Sequence, residues 1–166
     1  MAPTVAFFAE ALMRALLPGL HSMLNLHPLF VHFPIALWLG ALVFEIVAVA
    51  RASEDWQRTA MRSLYLGTIA AVFAVLTGWR AQRSVPPYGG AYDALDVHET
   101  LMMLATTLAG WLCIVALLKP RISGSAQKLF LAGLAILVIM VAIGADRGAE
   151  MVYRYATSVN LPAAAP

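Results

Sequence analysis

The sequence predicts an all-α integral membrane protein: a four-helix transmembrane bundle preceded by an N-terminal interfacial amphipathic helix. Three observations carry this. The 166 residues are 61% hydrophobic and only 12% charged, too apolar for a water-soluble chain of this length. The apolar residues gather into four runs, each close to the roughly 20 residues that cross a hydrocarbon core. A backbone in lipid must satisfy its own polar groups, so such runs are helices. Residues 1–27 form the interfacial segment, 28–155 the membrane domain and 156–166 a frayed tail.

Residues 4–17 read as a short amphipathic helix. Thr4 serves as its N-cap, Glu10 and Arg14 pair at i, i+4, and Phe7, Phe8, Leu12 and Leu16 supply an apolar side. The segment is too short and too charged to span, so it is expected to lie on the membrane surface. Pro18-Gly19 ends it. No basic n-region precedes it, so no secretory leader is expected.

Segment one covers residues 28–50. Pro28 suits the first helical position, with His27 just outside. Pro34 removes an N–H and crowds the carbonyl of Phe30, which predicts a kink or a late helix start. Glu45, the only acid within a span, is expected near the far end, satisfied by an arginine or by water, a structural role preferred over a proton relay. Residues 51–62 read as a polar loop. Segment two, 61–79, carries Gly67, Ala71, Ala74 and Gly78, a small-residue stripe that lets helices approach closely. Residues 80–95 form the longest connection, rich in proline and glycine. Segment three, 97–118, opens on Asp96 with Glu99 three residues later, a capping-box-like start that places His98 in the first turn. Segment four, 128–145, is broken by the run from Gly144 to Ala149.

The basic residues set the expected orientation. Lys119, Arg121 and Lys128 lie in one short connection and Arg51, Arg58 and Arg62 in the other. Both connections are assigned to the cytoplasm. The chain is then expected to be a multi-pass membrane protein with both termini on the outer side, which in a bacterium means the inner membrane and the periplasm.

Segments one and three run in the same direction, so their starts share the outer edge. There the sequence places His27, His32 and His98. Two neutral imidazoles on different helices, above small and apolar side chains, suit the axial ligation of haem b. The expected pair is His32 and His98, the deeper residues, with His27 outside the first coordination sphere. Arg80 and Arg147 lie at the same edge as candidate partners of the propionates. Copper or zinc held by three histidines, with Met102 or Met103 nearby, is the competing chemistry, and interfacial histidines without any cofactor the plainest one. The partners expected are membrane lipid, the other subunits of a redox complex, and a quinone or periplasmic cytochrome as electron donor. The function expected is electron transfer by a subunit rather than a stand-alone enzyme; the alternative is a non-catalytic accessory subunit.

Several classes drop out. The net charge is only +2, so no basic footprint for nucleic acid exists. The single Cys113 rules out a disulfide framework, and no Cys-x-x-Cys-His occurs, which excludes covalent haem. No glycine-rich phosphate loop or nucleophile motif is present.

The run His27-Pro28-Leu29-Phe30-Val31-His32-Phe33-Pro34-Ile35-Ala36-Leu37, the His98 helix start, Gly144 to Gly148 and Met151-Val152-Tyr153-Arg154-Tyr155 resemble a bacterial family of predicted membrane proteins, domain of unknown function 2231. The resemblance covers residues 26–155. It implies a four-helix membrane module associated with redox proteins and singles out His27, His32 and His98. Where that family tends to have glycine after the Tyr-x-Tyr stretch, this chain has Ala156.

Overall fold

The computed structural model describes residues 5–159. Among them every regular element is helical. In chain order these are α1 (Val5–Leu16), α2 (Pro18–Ser22), α3 (His27–Arg51), α4 (Glu54–Ala81), α5 (Gly90–Leu118) and α6 (Gly124–Tyr155). The proposed cap Thr4 and most of the tail lie outside the described residues. Four helices, α3 to α6, are long and apolar enough to cross a membrane. Only 22–33% of the most apolar window of each is buried. The uncovered remainder includes Leu39, Val43, Ile69, Leu76, Leu104 and Ile139, a continuous apolar exterior that requires lipid. The protein is a multi-pass membrane protein.

The helices run longer than the apolar runs alone foretell. α4 starts at Glu54, not Met61, because Glu54 and Asp55 suit a helix N-terminus and pair with Arg58 one turn on. The expected polar loop is therefore mostly helix. α5 starts at Gly90, where Gly89 adopts a φ of +82° that only glycine takes readily. Asp96 then lies in the second turn and is exposed, so the capping box at Asp96 and Glu99 does not form. α6 continues through Gly144–Ala149 to Tyr155; that stretch lies against α5, and packing outweighs the low helix propensity of its glycines. α3 passes through Pro34 and begins at His27, whose N–H is accepted by Asn25 Oδ1 at 3.1 Å. Pro18 does not simply end a helix; it begins α2.

α3 packs chiefly on α4, and α5 on α6; the two hairpins meet through α3–α6 and α4–α5. α3 and α5 are thus diagonal partners in a four-helix ring. The interfaces are built from small residues, among them Ala41, Ala60, Ala71, Ala105 and Ala109, as expected where close van der Waals contact drives helix association in lipid.

The two hairpins repeat one another. The buried residues Pro34, Trp38, Ala41 and Glu45 of α3 recur as Ala105, Ala109, Leu112 and Ala116 of α5, each 71 positions later. Ala60, Leu64, Gly67, Ala71 and Ala74 of α4 recur as Phe130, Leu134, Leu137, Val141 and Gly144 of α6, each 70 positions later. Both hairpins start at the same end, so the repeat is parallel, about an axis along the bundle.

Candidate functional site

At the end of the bundle where α3 and α5 begin, a cavity of about 470 Å³ opens between the four helices. That lies within the range of small-molecule and cofactor sites, about 300–1,000 Å³. Val31 and Ile35 on α3 and Met102 and Thr106 on α5 line its depth, with Trp38 and Val141 also contributing. α4 and α6 present small residues to it, including Ala74, Gly78, Ala145 and Gly148.

Two histidines face each other across this space. The rings of His27 and His98 have centroids 6.3 Å apart and planes at 87°. Each is held in the same way. His27 Nδ1 lies 3.0 Å from the carbonyl oxygen of Ala74 on α4. His98 Nδ1 lies 2.7 Å from the carbonyl oxygen of Gly144 on α6. A carbonyl only accepts, so Nδ1 carries the hydrogen in both rings. In the neutral ring Nε2 then keeps its lone pair. Neither Nε2 has a hydrogen-bond partner among the described residues.

Glycine makes this anchoring possible. A Cβ on Gly78 would lie 3.1 Å from His27 Cε1, and one on Gly148 would lie 3.3 Å from His98 Cε1 and Nδ1. Each ring thus approaches the neighbouring helix by its Cε1–Nδ1 edge, one turn beyond the carbonyl it donates to. The arrangement obeys the repeat: His98 follows His27 by 71 residues, and Gly144 and Gly148 follow Ala74 and Gly78 by 70.

The sequence reading pairs His32 with His98. The structure sets His27, not His32, opposite His98. Because α3 starts at His27, that ring is inside the bundle. Five residues at about 100° each turn His32 away from it, and His32 is exposed at the cavity rim. The repeat explains the choice, since the counterpart of His32 is Met103. The spacing from His27 to Gly78 and from His98 to Gly148 is the signal that identifies the pair.

The arginines stand elsewhere. Arg147 pairs with Glu150 at 2.8 Å within α6, and Arg154 pairs with the same carboxylate at 3.0 Å. Neither Arg147 nor the exposed Arg80 lines the cavity. Asn25, Gln82, Glu99, Thr157 and Ser158 bring polarity to the lining instead, and Asn25 Nδ2 donates to Ser158 Oγ at 3.0 Å, tying the segment after α6 to the start of α3. Among the described residues no group of three His, Cys, Asp or Glu side chains converges as a metal site.

No curated protein matches this chain. No solved structure matches it either. The family model described as a predicted membrane protein, DUF2231, matches residues 23–161, a span that includes all four membrane helices and both anchored histidines, and the chain belongs to that family.

Proposed function

We propose that the chain is a membrane b-type haem-binding redox subunit in which His27 and His98 are the axial pair. One observation carries the reading: two diagonal imidazoles, each oriented by a backbone carbonyl, with the lone pairs of Nε2 unspent. A ligating histidine characteristically donates its other ring N–H in this way, which fixes tautomer and ring direction. A metal centre held by both rings would be bound through their neutral Nε2 atoms, on rings that face one another. The rings here are 6.3 Å apart. The apolar residues and the small side chains of α4 and α6 suit a flat ring. A haem bound there supplies one-electron exchange.

The chain's own residues do the rest. Ala74 and Gly144 aim the imidazoles, Gly78 and Gly148 give them room, and Trp38 with the aliphatic side chains keeps water from the depth of the cavity. Among the described residues no cation lines the cavity and Glu99 does, so acidic groups of a ligand would have to face solvent. Arg80 and Arg147 are reached only from outside.

In this reading the protein lies in a bacterial inner membrane with the cavity and both termini periplasmic, following the basic short connections. α1, apolar and exposed over Phe7, Phe8 and Leu12, rests in the membrane interface. Electrons pass between a quinol or periplasmic cytochrome and the other subunits of a complex. The test is the colour and metal content of the detergent-purified protein. The expected result is a low-spin reduced-minus-oxidised haem spectrum with one iron per chain. Colourless, iron-free protein from haem-replete cells overturns it in favour of an accessory subunit. Copper is the second reading, favoured by Met102, Met103 and Met151 in the lining, and the same metal analysis separates it from iron.

A further inference from the structure

The other end of the bundle holds a carboxyl group with no charge beside it. Glu45 of α3 is 0% exposed. Its Oε1 accepts from Gln127 Nε2 of α6 at 3.0 Å and from Gln57 Nε2 of α4 at 3.4 Å. The orientation of the Gln57 amide is not free. Ile122 N–H donates to its Oε1 at 3.1 Å, and its Nε2 donates to the Ile122 carbonyl at 2.7 Å. Both glutamines therefore present N–H to one oxygen of Glu45. The other oxygen, Oε2, is buried without any partner.

The expected arginine is absent from this site. Among the described residues no Lys, Arg or His lies within 4 Å of the Glu45 carboxyl. Of the charges at this end, Arg121 pairs with Glu54, and Arg58 with Glu54 and Asp55; Arg51, Arg62, Lys119 and Lys128 make no ion pair with a described residue and none lies within 4 Å of the Glu45 carboxyl. What packs around Glu45 is neutral: Gln57 from α4, Gln127 from α6 and the Ile122 backbone between α5 and α6. On α5 the repeat-equivalent position is Ala116, which is buried. Gln57 and Gln127 are themselves repeat equivalents, 70 residues apart, so a single carboxyl sits between two matched amides.

We propose that Glu45 is a proton-binding site of the membrane domain, carrying its proton on Oε2 and exchanging it with the aqueous side of the two short connections. Burying an ion without a counter-ion costs far more than burying the neutral acid. Two N–H donors at Oε1 suit the carbonyl oxygen of that acid and leave Oε2 for the hydroxyl. The route is short on one side only. Glu45 is six residues from Arg51 at the end of α3, about 9 Å along the axis, and 18 residues from His27, about 27 Å. The site is therefore independent of what the histidines bind.

Dicyclohexylcarbodiimide tests it on the full chain in detergent. A protonated carboxyl adds across the reagent's C=N bond; its oxygen bonds the central carbon, its proton moves to nitrogen, and nothing leaves. The expected result is one adduct per chain by intact mass, mapped to Glu45, absent in Glu45→Gln and declining as pH rises. Infrared difference spectra between the protein and Glu45→Gln cover the case in which the reagent does not reach the site. Loss of a protonated-acid C=O band supports the proposal. Loss of carboxylate bands at neutral pH overturns it, whatever the labelling.

Discussion

At the cavity end the α3–α4 and α5–α6 hairpins copy each other. His27 donates to Ala74 past Gly78, and His98 donates to Gly144 past Gly148. At the opposite end the copies part. α3 carries Glu45 where α5 carries Ala116, while the flanking Gln57 and Gln127 are kept. The histidines and their anchoring glycines are kept in both hairpins, whereas the carboxyl is present in one alone. Two equivalent carboxyls at the glutamate end would bring two buried acids into one site.

The largest expected effect comes from breaking the copied end. If the proposed haem reading holds, replacing His27 or His98 with Ala is expected to abolish the low-spin haem spectrum, in either variant to the same degree. His32→Ala leaves the spectrum in place. If His32→Ala removes the chromophore and His27→Ala spares it, the equivalence of the two hairpins has no functional meaning.

The unequal end responds in stability instead. Gln57→Ala removes both bonds to Ile122 and one donor to Glu45, leaving buried backbone groups unpaired. A loss of about 2–3 kcal/mol is expected, read as a lower thermal midpoint in detergent. Gln127→Ala, which makes one bond to Glu45, costs less, about 1 kcal/mol. Equal losses would show that the bracing of the short connection by Gln57 contributes little.

Smaller again is the effect of a methyl group beside each imidazole. Gly78→Ala and Gly148→Ala force the ring off its carbonyl by a few tenths of an ångström, at about 1 kcal/mol each. Both are expected to weaken cofactor retention severalfold while the helix content measured by circular dichroism holds. An effect at Gly148 with none at Gly78 would make the two anchors unequal despite their common geometry.

The smallest effect is outside the comparison's core. α6 ends on Ala156 at φ +51°, a left-handed cap. Glycine is the residue that takes this conformation without a Cβ clash. Ala156→Gly is expected to stabilise by up to about 1 kcal/mol. A destabilised variant would mean that the lost restriction of the unfolded chain outweighs the relief.

The number and identity of the membrane helices were legible in the sequence because hydrocarbon permits few alternatives: a long apolar run with no water must close its own hydrogen bonds. The clustering of His27 and His98 at one edge was legible for the same reason, since spans one and three enter from one side. Helix ends were less so. The beginnings of α4 at Glu54 and α5 at Gly90 and the extension of α6 to Tyr155 rest on caps, packing and left-handed turns that apolarity does not register. Tertiary structure alone decided which histidine faces His98. That depended on the rotational phase of α3, set by its start at His27, and on glycines 51 and 50 residues away that let each ring reach a neighbouring backbone. It also decided that Glu45 meets two amides and no arginine, because a side chain's partners come from helices whose approach no local pattern specifies.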